Sequence, residues 1–137
     1  MASEFLDANF VLRYITQDAP DQSRKARAVI EQIAQGARTV TTSESVISEV
    51  VHVLSSKILY NLPRRDIRLH LITIINLSGL KLPNKKTYLR ALDLFASSNL
   101  DFVDALNVAQ MERMGISVIL SFDRDFDKVS GITRREE

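Results

Sequence analysis

With 137 residues, 45% of them hydrophobic, and a net charge of only +1, the chain suits one compact domain spanning 1–137, with a real core and no linker-like stretch. It has no cysteine, which excludes disulfides and thiolate metal sites and fits a reducing, cytoplasmic setting. "MASEFLDANF" lacks the basic flank and long apolar core of a signal peptide, and no apolar run approaches membrane-spanning length, so a soluble protein without a membrane partner is expected.

In chain order, "EFLD" predicts a first strand, followed by a helix from about Asn9 to Thr16. "SRKARAVIEQIAQG" predicts a second helix, ended by Gly36, the residue type that relaxes a helix C-terminus. "RTVT" follows as a strand, then "SESVISEVVHVLSSKIL" as a third helix and, after Pro63, "RRDIRLHLITIINL" as a fourth. A brief "LKL" strand precedes two further helices, "NKKTYLRALDLFASS" and "DFVDALNVAQMERMG". "SVILSF" has the strongest strand pattern, and "GITR" is a candidate last strand. Strands separated by helical segments favour a mostly parallel sheet flanked by helices, an α/β domain.

Charge is segregated along this chain. From Lys57 to Arg90 eight basic residues stand against one acid, Asp66, for a net +7, so the remainder carries −6. Such a field gathers a polyanion on one side and leaves a different chemistry on the other, although solvated helix faces give the same composition. Within it Arg64, Arg65, Arg68, Lys85 and Lys86 are the candidate contacts for a polyanion's phosphates.

The acids raise a sharper question. "VILSFDRDFD" breaks from an apolar, buried-looking strand into three aspartates on alternate positions, Asp123, Asp125 and Asp127. Parallel α/β sheets bind ligands beyond the carboxyl ends of their strands, where both Asp7 and Asp123 stand. Asp7 has a second reading as a cap of the helix that follows, since a short carboxylate accepts hydrogen bonds from the first free amides. Glu49 falls at the edge of a stripe formed by Val46, Val50, Val53 and Leu54. Asp101 reads as an N-cap with Asp104 three residues on, a capping-box-like arrangement that accounts for Asp101 better than for Asp104.

"FLDANFVLRY", "SVISEVVHVL", "DFVDALNVAQMERMG" and "VILSFDRDFDKVSGI", in that order and spacing, resemble the PIN-domain nucleases, especially the VapC-type toxins of toxin–antitoxin pairs. The resemblance runs almost end to end. It implies a three-layer fold around a central, mostly parallel sheet of four to five strands, and an acidic quartet at Asp7, Glu49, Asp104 and Asp123 that is both catalytic and metal-binding. Asn9, Asp101, Ser121 and Asp125 fall at supporting positions. It also implies Mg²⁺ or Mn²⁺ as cofactor, RNA as substrate, a small VapB-like antitoxin as partner, and a homodimer. Clustered carboxylates repel unless neutralised, and a hard divalent cation prefers oxygen ligands while keeping waters and taking phosphate oxygens.

Other sites fit these residues less well. Asp123, Asp125 and Asp127 mimic the start of a calcium loop, but Lys128 stands where its glycine belongs and Arg134 where its glutamate belongs. Glu49 and His52 match half of a di-iron signature whose second half is missing; His52 and His70 read as surface or packing residues. A receiver-type phosphoacceptor domain lacks the helix-rich middle seen here and has a lysine ending its late strand. Two functions remain as expectations: a metal-dependent endoribonuclease toxin, or a PIN-fold RNA- or protein-binding module with a weak or silent site.

Overall fold

The computed structural model describes residue 2 and residues 4–137. The chain divides into two compact units, one ending at Lys85 and one running from Lys86 to Glu137. The first holds β1 (Glu4–Phe5), α1 (Ala8–Thr16), α2 (Pro20–Ala34), β2 (Val40–Thr41), α3 (Glu44–Ser55), α4 (Arg64–Ile75) and β3 (Leu80–Lys81). The second takes nearly all of α5 (Lys85–Ser97), then α6 (Phe102–Met114), β4 (Val118–Leu120), a 3-10 helix (Arg124–Lys128) and β5 (Thr133–Arg135). This is the alternating α/β pattern that the sequence predicts, and every strand pairing among the described residues is parallel. The strands described form a three-stranded and a two-stranded sheet.

In the first unit the strands lie in the order β1-β2-β3, with Glu4 opposite Val40 and Val40 opposite Leu80. Parallel neighbours need long crossovers, and here each crossover is a pair of helices. α3 buries Val46, Ile47, Val50, Val51 and Leu54, and α4 buries Ile67, Leu71, Ile74 and Ile75, the spacing of a core-facing helical stripe. The two helices pack on each other, as α1 does on α2 and α3. Most of the apolar side chains of α3 and α4 are therefore buried inside the fold. Leu69 on α4 stays 55% exposed, and Ile58 and Leu59 are exposed in the loop between the helices. α3 is also shorter than its sequence pattern, because Ser56 turns to extended backbone and leaves "KIL" outside the helix.

One glycine ties this unit together. Gly79 donates its backbone N–H to the Ile33 carbonyl at 2.9 Å and accepts from the Val40 N–H at 2.9 Å, which joins the end of α2, β2 and β3. A Cβ there would stand 2.1 Å from the Arg38 carbonyl oxygen and 2.7 Å from that of Ile33. Only the missing side chain allows so close an approach.

In the second unit, Phe95 of α5 meets Phe102 of α6 edge to face at 6.1 Å. β4 and β5 are parallel, with Val118 opposite Thr133 and Leu120 opposite Arg135; the chain between them carries the 3-10 helix, anchored by buried Phe126. The apolar run before the aspartates differs from its buried-looking pattern. Val118 and Ile119 are only half-buried, Leu120 is 71% exposed and Phe122 81% exposed. Among the described residues β4 pairs with β5 alone, and a two-stranded sheet covers little of its own surface.

Candidate active site

The sequence-predicted acids fall in both units. Asp7 follows β1 and takes extended backbone at the N-cap of α1, yet its side chain makes no cap hydrogen bond. The capping reading of Asp7 is thus replaced by an exposed carboxylate without a hydrogen-bond partner among the described residues. The backbone beneath it is firmly held: the Leu6 N–H donates to the Thr41 carbonyl at 2.8 Å, and the buried Thr42 hydroxyl donates to the Leu6 carbonyl at 2.8 Å. Asn9 is exposed in the first turn of α1. Glu49 is exposed on α3 beside fully buried Val50, a placement its position at the stripe edge predicts. Ser43 starts that helix by accepting from the Val46 N–H at 3.3 Å.

In the second unit Asp101 caps α6, its Oδ1 accepting from the Asp104 N–H at 2.9 Å. Half of a capping box is therefore present. The Asp104 carboxylate does not return the bond among the described residues; it is half-buried, and burial followed by the charges of Asp101, Asp123 and Asp125 pushes its pKa up from the ordinary 3.8. Every charge acting on it is negative.

The three aspartates after β4 divide their work. Ser121 Oγ accepts from the Asp123 N–H at 3.0 Å, and Asp123 Oδ1 accepts from the Asp125 N–H at 2.9 Å, which caps the 3-10 helix and spends one carboxylate oxygen. Asp127 pairs with Arg134 at 2.9 Å, and that guanidinium holds the Asp127 carboxyl below its usual range. Asp125 is exposed, with no side-chain partner among the described residues. Arg134 also donates to the Ser121 carbonyl at 3.0 Å and pairs with Glu136, so it fixes the backbone from which Ser121 and Asp123 project. Sequence reasoning missed Arg134 and Thr42 as positioning residues. A basic residue on the strand paired with β4 was the available signal for Arg134; a threonine after a short strand gave none for Thr42.

The donors are all oxygens, the set that suits Mg²⁺ or Mn²⁺. Among the described residues no three His, Asp or Glu side chains are grouped closely enough to hold an ion. Both histidines are exposed. The candidate RNA contacts are dispersed. Arg65 is 83% exposed and loosely paired with Asp66 at 3.7 Å, while Arg64 and Arg68 are half-buried on the same helix. Lys85 gives its ammonium to the Leu77 carbonyl at 3.3 Å, and burial and then the neighbouring Lys81 charge lower its pKa; Lys86 is exposed at the start of the second unit. No described helix is long and apolar enough to cross a membrane.

The chain is similar to a VapC ribonuclease of Aquifex aeolicus (strain VF5), with 25% identity over 126 residues, 92% of this chain and 91% of that protein. The PIN domain family matches residues 5–132, a span that crosses the boundary between the two units and takes in Asp7, Glu49, Asp101, Asp104, Asp123 and Asp125. An α/β chain matched over nearly its full length belongs to the PIN domain family.

Proposed function

We propose that the protein is a divalent-cation-dependent endoribonuclease, the toxin of a toxin–antitoxin pair, working as one domain over 1–137. Family membership and similarity to a ribonuclease support the class. The observation that carries the chemistry is Asp104: a half-buried carboxylate surrounded by negative charge, with its pKa raised, is a group whose ionised form calls for a cation. Asp7, Glu49, Asp104 and Asp123 are the proposed ligands, and bound Mg²⁺ or Mn²⁺ would supply Lewis-acid help and an activated water for in-line attack on a phosphodiester. Asp123 offers its uncommitted oxygen while its other oxygen and Ser121 keep the loop fixed. Asp101 and Asp125 add to the field that draws a cation, and Asn9 is a polar neighbour of Asp7 available to substrate. Arg64, Arg65, Arg68, Lys85 and Lys86 are the proposed phosphate contacts. A small VapB-like antitoxin, a homodimeric state and a cytoplasmic location complete this reading.

The test combines cleavage with stability. Labelled RNA should be cut by wild-type protein in Mg²⁺ or Mn²⁺, and not in EDTA or by the Asp104→Asn variant. Millimolar Mg²⁺ should raise the melting temperature of the wild type by mass action on the folded state and leave Asp104→Asn nearly unmoved. The second reading is a binding module with a weak or silent site. RNA bound but uncut, with no metal-linked shift, would select it.

A further inference from the structure

A cavity of about 230 Å³ opens within the second unit, lined by residues of α5, the α5–α6 loop, α6 and the segment that follows the aspartates. It is smaller than the roughly 300–1,000 Å³ of sites that take drug-sized ligands, and has room for about one planar ring system. Leu94 and Val129 supply apolar wall, and Asn99 and Ser130 supply exposed polar edge. The Asn99 amide has no hydrogen-bond partner among the described residues, so both its donor and its acceptor are available.

The charges around this cavity cancel. Arg90 and Lys128 are matched by Glu112 and Asp125, and Arg90 is already bound to Glu112 through two hydrogen bonds of 2.8 and 3.1 Å. A free phosphate therefore gains little here. A flat, neutral group with apolar faces and hydrogen-bonding edges matches the lining better, and a guanidinium held in place by two bonds is itself a plane on which such a group stacks. Asp125 links the cavity to the acidic cluster, because it lines the one and raises the pKa of Asp104 in the other.

We infer that this cavity is a base-binding subsite for one unpaired nucleotide of a single-stranded RNA, with Asn99 reading the base edge and Ser130 bordering it. The inference rests on the ribonuclease reading for its choice of nucleic acid, and goes beyond it by assigning residues to base selection. Single-stranded RNA is the form whose bases are free to enter such a pocket.

The experiment measures fluorescence anisotropy of labelled single-stranded oligo(A), oligo(C), oligo(G) and oligo(U), together with an abasic ribose-phosphate oligomer of equal length. The protein is the non-cutting Asp104→Asn full chain, alone and with either Asn99→Ala or Ser130→Trp, the second filling the cavity from an exposed position. Both additions should weaken at least one base-bearing oligomer by about tenfold, the scale of losing one stacked base. Unchanged binding of the abasic oligomer would show that fold and phosphate contacts are intact. Equal affinity of all four homopolymers for parent and variants would overturn the subsite, as would an equal loss on the abasic oligomer. Wild-type protein that cuts none of the four in Mn²⁺ would overturn the nuclease reading, while the binding comparison still decides the subsite.

Discussion

Two aspartates in the same unit have opposite electrostatic consequences. Asp127 has its pKa lowered by Arg134, so it contributes stability that is present above the unfolded value of 3.8 and lost as pH falls through the folded one. Asp104 has its pKa raised, so its contribution is present below 3.8 and lost as pH rises through its folded value. At neutral pH in EDTA, Asp127→Asn should therefore lower the urea midpoint, and Asp104→Asn should leave it unchanged or raise it. Between pH 5 and 3 the midpoint of Asp127→Asn should fall less steeply than that of wild type. A lower midpoint for Asp104→Asn in EDTA would show that the carboxylate is compensated, and would remove the main argument for a cation beside it. Arg134→Gln probes a different residue-scale role. It deprives the Ser121 carbonyl and Asp127 of their donor, and should reduce the proposed cleavage while leaving the proposed phosphate contacts of α4 unchanged.

At the scale of elements, the junction of α2, β2 and β3 depends on a close approach that no side chain permits. Gly79→Ala forces a Cβ against two backbone carbonyls, and backbone moves less readily than a flexible side chain. Overpacking of this kind typically costs about 1–3 kcal/mol, and the loss should appear in the urea midpoint even though the residue is remote in sequence from each proposed ligand. Gly36→Ala makes a useful comparison: its φ of +77° carries backbone strain, but its nearest neighbour is a serine hydroxyl at 3.5 Å. It should be the milder substitution. The helices around this junction were legible as periodic apolar stripes, and α4 begins after Pro63 as its sequence predicts. The 3-10 helix was not legible, because its formation depends on Asp123 capping Asp125 and on Phe126 finding a buried place, neither of which has a periodic signature.

For the whole molecule the consequential quantity is how charge meets a polyanion. If the Arg64, Arg65 and Arg68 side chains neutralise phosphates, changing all three to Gln should reduce the slope of log affinity against log salt by about 0.7 for each phosphate left unneutralised on single-stranded RNA. An unchanged slope would make this stretch a solvated face. Expression of the wild-type chain alone should arrest growth, Asp7→Asn or Asp104→Asn should relieve the arrest, and the product of a neighbouring gene should suppress it by forming a stable complex. Equal growth with wild type and Asp104→Asn at matched levels would remove the toxin reading and leave the binding module.

The sequence alone determined the α/β class, the order of strands and helices, and the carboxylates at element boundaries, because apolar periodicity, helix caps and strand-end acids are all local. It also carried the family resemblance, since four motifs in order and spacing survive in the chain itself. Tertiary structure decided what local pattern cannot encode. It left Asp7 without the cap bond its position allowed, gave Asp123 and Asp127 structural partners in Asp125 and Arg134, and exposed Leu120 and Phe122 at the end of a run that looked buried. It also set Gly79 against two carbonyls and surrounded Asp104 with like charge. Each of these depends on residues distant in sequence or on which neighbour a backbone group finds first, and such choices are made only when the chain is folded.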